Sequence, residues 1–290
     1  MSKPPRLTLP PCARAYRLRT ARGEFAVHEA VPAGPAHGTA LLVPGFTGSK
    51  EDFIGLLEPL AAAGYRVVAV DGRGQHESDG PREESAYALD GLARDVLAQA
   101  AVVADGGPLH LVGHSFGGLV ARTAVVREPG RFASLTLMSS GPGAVCEAQQ
   151  ERTKMLVAAL EAMGDDMPGI WQAMRAMDPE DAVPDSPELA AFLRDRWLGT
   201  VPEQLIATGR VLVGEPDGID ALRAAAPGLP KLVLSGEVDY AWPLPVMDDM
   251  AERLAAGRTV VPGAEHSPNA EAPEVTAAAL AAFWSAATRP

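Results

Sequence analysis

Short, unbroken apolar runs punctuate this chain, at residues 40–43, 67–70, 109–112, 135–138, 232–234 and 259–261. Each is short and bounded by Gly, Pro, Asp or Ser. Such runs fit strands buried on both faces. Helix-length segments lie between most of them, at 51–63, 85–104, 118–127, 246–256 and 273–284. A sheet apolar on both faces must be covered by helices on both, so the alternation predicts a doubly wound α/β domain. Ahead of it, segments 16–20 and 24–29 flank Arg22-Gly23 as a hairpin, which brings the expectation to a mostly parallel, eight-stranded sheet. With 290 residues the chain can bury such a core and still carry an insertion.

One connection breaks the rhythm. Residues 139–230 contain helical patterns at 147–163, 170–177, 187–198 and 203–213, separated by Pro and Gly, and no clear strand. A structureless loop of that length is improbable. The economical reading is a helical cap at 145–228, inserted into a core domain made of 1–144 and 229–290.

Gly113-His114-Ser115-Phe116-Gly117 follows an apolar run and precedes a helical pattern. In that setting G-x-S-x-G is a nucleophile elbow, a strained turn whose glycines remove side chains that would collide with backbone. It lifts the Ser115 hydroxyl to the N-terminus of the next helix, where the Phe116 N–H can donate to an oxyanion. A bare match can arise by chance in a chain with 29 glycines. The preceding strand, the following helix and the extra Gly118 make this one specific.

A serine hydroxyl becomes a useful nucleophile when a histidine takes its proton and a carboxylate orients that histidine. In this setting the chain order is nucleophile, acid, histidine. Asp239 follows the run at 232–234, at the carboxyl edge where open α/β sheets bind ligands. Glu237, early in the same turn, and Asp248, inside the next helical pattern, are the alternatives. His266 follows the last run, on the loop before the final helix. His28 and His37 precede the parallel strands and read as surface residues; His110 lies in a strand and His76 in an earlier loop. His114 should point away from the serine beside it. The second oxyanion donor is expected in Pro44-Gly45-Phe46-Thr47-Gly48-Ser49, from the Phe46 N–H.

Taken together, these segments resemble the α/β-hydrolase superfamily over residues 25–286, in the branch of monoacylglycerol-lipase-like and carboxylesterase-like enzymes. Residues 44–49 are similar to its oxyanion loop, and Asp71-Gly72-Arg73-Gly74-Gln75-His76-Glu77-Ser78 to its D-x-R-G-x-G-x-S turn. Residues 113–118 match its G-H-S-x-G-G elbow, and 236–239 and 266–273 its acid and histidine segments, with Glu271 and Pro273. Pro44 stands where that branch usually has histidine, and His76 where it usually has glycine. The resemblance implies a serine hydrolase of carboxylic esters or lactones, working through an acyl-enzyme on Ser115. A serine nucleophile speaks against haloalkane dehalogenase and epoxide hydrolase chemistry. Acyl transfer, thioester or carbon–carbon bond hydrolysis, and a receptor without turnover, stay open as alternatives.

Composition removes other classes. A net charge of −12 and a pI near 5.0 argue against nucleic acid. Cys12 and Cys146 stand far apart without a metal-binding pattern, and neither GxxxxGK[ST] nor HExxH occurs, so no metal or other cofactor is expected. No run resembles a signal peptide or approaches the ~20 apolar residues of a membrane span, so a cytosolic protein is expected. The cap is rich in methionine and aromatic residues, which either pack it or line a deformable apolar pocket. Trp171, Met174 and Trp197 are the candidate contacts to a medium-sized, largely apolar acyl substrate. Oligomeric state is left open.

Overall fold

A computed structural model describes residues 1–164, 166–177 and 185–288. Its strands are β1 (Ala13–Thr20), β2 (Gly23–Ala30), β3 (Gly38–Val43), β4 (Tyr65–Val70), β5 (Leu109–His114), β6 (Ser134–Met138), β7 (Lys231–Gly236) and β8 (Gly257–Val261). They form one eight-stranded sheet in the order β1-β2-β4-β3-β5-β6-β7-β8. The β1–β2 hairpin joins β4 antiparallel, and the remaining pairings from β4 to β8 are parallel. Every residue of β3, β5, β6 and β7 is buried, which is why these strands are largely apolar on both faces.

Side chains still divide with period two. Leu41, Leu111, Leu135, Leu137 and Val233 face one core, beneath α2 (Leu89–Val103) and α3 (Phe116–Arg127), whereas Ala40, Leu42, Val112, Leu232 and Leu234 face the other. That second core is closed by α1 (Ile54–Ala62) and the C-terminal helix Pro273–Ala287.

Between β6 and β7 lie α4 (Glu147–Met163), α5 (Met167–Arg175), α6 (Pro187–Gly199), α7 (Pro202–Gly214) and α8 (Ile219–Ala225). Residues 165 and 178–184 of the expected cap lie outside the described residues. Helices α4 to α7 enclose a separate apolar cluster that includes Val157, Leu160, Ile170, Trp171, Leu193, Trp197, Leu205 and Ile206. The sequence reading had no counterpart for α8. Its Ile219 and Leu222 join the main core, beside α3 and α9 (Leu244–Leu254).

The insertion is tied to the body at one buried ion pair. Arg196 of α6 donates to Asp52 Oδ1 at 2.7 Å and to the Ser2 carbonyl at 2.8 Å. Asp52 Oδ2 accepts the Ser49 N–H at 3.2 Å, and the Asp52 carbonyl accepts from Asn269 Nδ2 at 2.7 Å. Burial pushes the Asp52 carboxyl up and Arg196 opposes it.

His28 departs from the surface position expected for it. It is buried on β2, with Nε2 3.6 Å from Glu51 Oε1, and burial lowers it to about 4. Strand β2 is an interior strand of the sheet, and the 3-10 turn Lys50–Phe53 covers it. Among the described residues no helix is long and apolar enough to cross a membrane.

Candidate active site

Ser115 sits between β5 and α3 with φ 54° and ψ −123°, a backbone conformation that L-residues avoid. Close packing enforces it. A Cβ at Gly113 would lie 2.3 Å from the Gly117 carbonyl oxygen, and one at Gly117 would lie 2.4 Å from that of Val43. The Ser115 N–H is held by the Met138 carbonyl at 2.8 Å, which ties the turn to β6. The hydroxyl then stands at the start of α3.

Asp239 and His266 come to it from the ends of β7 and β8. His266 Nε2 lies 3.0 Å from Ser115 Oγ, and His266 Nδ1 lies 2.9 Å from Asp239 Oδ2. A carboxylate only accepts, so Nδ1 carries the proton and Nε2 is left free to accept from the serine. Asp239 Oδ1 accepts the N–H groups of Ala241 and Trp242 at 2.8 and 3.0 Å, so the carboxylate cannot swing. The alternatives are engaged elsewhere: Glu237 accepts the Gly263 N–H, and exposed Asp248 pairs with Arg258.

The loop after β3 runs beside Ser115. A Cβ on Gly45 would lie 3.2 Å from Ser115 Cβ, a tight contact that glycine avoids. Among the described residues neither the Phe46 nor the Phe116 N–H is bonded to a protein acceptor. A strained serine at a strand–helix turn, a histidine and carboxylate in line, and a glycine loop alongside are the parts of a hydrolase site.

A family model described as alpha/beta hydrolase fold matches residues 40–189. The chain belongs to this family. Along 238 residues the chain is 29% identical to a monoacylglycerol lipase of Mycolicibacterium smegmatis, covering 79% of this chain and 81% of that one. It is 40% identical over 108 residues to a Variovorax paradoxus protein named as a carbamate hydrolase, a match covering 37% of this chain; the chain thus spans about two fifths of that relative's length, 40%. In structure it is similar to a thermophilic esterase from Thermogutta terrifontis, with a TM-score of 0.73 at 24% identity, covering 95% of this chain and 100% of that one.

Three further residues support the site without having stood out in the sequence for that role. His114 is turned from the Ser115 hydroxyl, and its Nε2–H donates to the His266 carbonyl at 2.9 Å. Burial, with His266 beside it, lowers His114 to about 3, so it holds the histidine loop as a neutral ring. Glu271 accepts the N–H groups of Glu265 and Ser267, one on each side of His266. Gln75 donates to the carbonyls of Gly45 and Phe46. Spacing alone gave no signal for His114 or Gln75, because each acts on backbone far away in the chain.

The candidate substrate contacts lie in different surroundings. Trp171, Met174 and Trp197 pack in the apolar cluster of the insertion, and Trp197 Nε1 donates to the Met167 carbonyl at 2.8 Å. Trp171 and Trp197 are buried there, and Met174 is partly buried against them. Phe46 is the residue that links this cluster to the serine loop, since its side chain packs against both the insertion and the main core.

At position 76 the backbone explains the family's glycine. His76 has φ 47°, in the left-handed region, and its N–H is held by Thr200 Oγ1 at 3.3 Å.

Proposed function

We propose that this hydrolase cleaves carboxylic esters or lactones of medium-sized, largely apolar acyl substrates through an acyl-enzyme on Ser115. The observation that carries the reading is the hydrogen-bonded line from Ser115 Oγ through His266 to Asp239. Ser115 Oγ attacks the carbonyl carbon while His266 Nε2 takes its proton, and Asp239 stabilises the imidazolium. The Phe46 and Phe116 N–H groups receive the oxyanion. His266 then protonates the leaving oxygen, and in the second half it draws a proton from the water that attacks the acyl-enzyme. Similarity to a monoacylglycerol lipase over four fifths of both chains favours an ester as the bond broken.

In this reading helices α4 to α7 form the cap expected at 145–228, with α8 belonging to the body. The cap sets the size of the acyl group through Phe46 and its neighbours Val157 and Gly209.

A panel of acyl p-nitrophenyl esters and lactones, run on wild type and Ser115→Ala, tests the proposal. The variant should lose about 10⁶-fold in kcat while unfolding at the same temperature. A fluorophosphonate should label wild type at Ser115. Turnover near wild type in the variant would sink the assignment. A receptor without turnover would show neither label nor hydrolysis, and product analysis separates hydrolysis from acyl transfer or carbon–carbon cleavage.

A further inference from the structure

We propose that Gln75 is the positioning residue of the Phe46 oxyanion donor. The inference rests on the serine-hydrolase reading above. Gln75 is buried, and its amide orientation follows from its partners. The Gly72 N–H can only donate and lies 3.0 Å from Oε1, so the other end is Nε2. That nitrogen donates to the Gly45 carbonyl at 2.8 Å and to the Phe46 carbonyl at 3.2 Å.

Peptide planarity converts this contact into control of the oxyanion site. The Gly45 carbonyl and the Phe46 N–H belong to one peptide unit, and that unit is trans. In a trans peptide the oxygen and the hydrogen point in opposite directions. Fixing the Gly45 oxygen on the Gln75 side therefore fixes the Phe46 N–H on the other. The Gly48 N–H supports the same oxygen at 3.2 Å. Without Gln75 this peptide can rotate, which would offer a carbonyl dipole where the transition state develops negative charge.

Gln75 is itself held in place. It stands between Gly74 at φ 70° and His76 at φ 47°, and the turn is bonded to the α6–α7 junction. The Gly74 carbonyl accepts the Val201 N–H at 2.8 Å, and the His76 N–H donates to Thr200 Oγ1. The orientation of the donor is thereby linked to the insertion.

Gln75→Leu and Gln75→Glu test the proposal, with kcat and KM on p-nitrophenyl butyrate and the inhibition constant of a trifluoromethyl ketone that forms a tetrahedral adduct. One such donor is worth about 10²–10³ in rate, so partial misplacement should lower kcat about 10- to 100-fold. KM should stay within about threefold, and inhibitor affinity should fall in parallel with kcat/KM. Gln75→Glu keeps the shape and the Gly72 bond but removes the donor. Its activity relative to wild type should rise as pH falls, because the protonated carboxyl can donate to the Gly45 carbonyl again. A purely structural role would not give that profile. Should the leucine variant fail to fold, the isosteric glutamate variant decides. Variants with kcat and inhibitor affinity within about twofold of wild type would overturn the assignment, as would a loss confined to KM. Failure of the serine reading has a different signature: undiminished turnover in Ser115→Ala, which would remove this proposal with it.

Discussion

Around Ser115 the chain is held by exclusion. The backbone atoms of Gly117, Val43 and Gly45 leave no room for side chains, and the strained serine is kept by its neighbours' bulk and by one hydrogen bond to β6. The insertion is held by inclusion, with its own apolar cluster and a few long-range ties, chiefly Arg196 to Asp52, Thr200 to His76 and Val201 to Gly74. The first arrangement is written as glycines in two short stretches of sequence, 45–48 and 113–118. The second needs partners more than a hundred residues apart. Chemistry on this fold can therefore stay constant while the insertion changes, provided those ties persist.

Substitutions that separate the two regions test this contrast. The largest effect after loss of the serine belongs to Asp239→Asn. An amide at that place lets the imidazole adopt the wrong tautomer, so kcat should fall by about 10⁴ with little change in the denaturation midpoint. A drop of tenfold or less would mean that another group orients His266.

Arg196→Met should act the other way round. It leaves Asp52 buried without its cation, and breaking a buried pair costs about 3–5 kcal/mol. Urea denaturation should report the loss, and limited proteolysis should place the first cuts in α4 to α7. Unchanged stability would show that the insertion does not depend on this tie.

Acid should discriminate the regions as well. Burial brings His28 and His110 down to about 4 and, helped by His266, His114 to about 3, whereas unfolded histidine titrates near about 6.5. Below that value the unfolded chain takes up protons that the folded chain refuses. Stability is therefore full above about pH 6.5 and declines as pH falls toward 4, by up to about 1.4 kcal/mol per pH unit for each histidine. All three lie on β2 or β5, and no histidine occurs in 145–228. Amide exchange at about pH 5 should thus rise first in the sheet. Exchange rising first in the insertion would contradict this.

The smallest effect is predicted for Trp197→Phe, which deletes the bond to the Met167 carbonyl and should cost about 1 kcal/mol. KM for short and long acyl esters should not move. A change in chain-length preference would place Trp197 in the substrate pocket.

These regions also differ in how far the sequence announced them. Strands β3 to β7 could be read from their short, largely apolar runs, since burial on both faces leaves few polar positions. The elbow could be read because steric exclusion writes glycine at fixed spacing, and Asp239 and His266 followed from chain order and strand ends. Helix α8 escaped because seven residues carry little periodicity. Trp171 and Trp197 offer no sequence signal that separates the two roles, because an aromatic residue in a cap looks the same whether it faces substrate or a neighbouring helix. His28 looked superficial because a hairpin's position at the edge or the interior of a sheet is a tertiary fact. Gln75 looked like any loop glutamine, since its partners are backbone groups with no sequence signature.

Asp52 joins three stretches of chain: the loop after β3, the segment behind His266 and the helical insertion. Recombination breakpoints placed at the insertion's two ends would split this residue from Arg196. A chimera carrying a foreign insertion should then inherit a buried acid without its counterion, however well the new helices pack. Grafting is expected to succeed when a cation is supplied at the position of Arg196, or when Asp52 and Arg196 are exchanged together for a matched apolar pair.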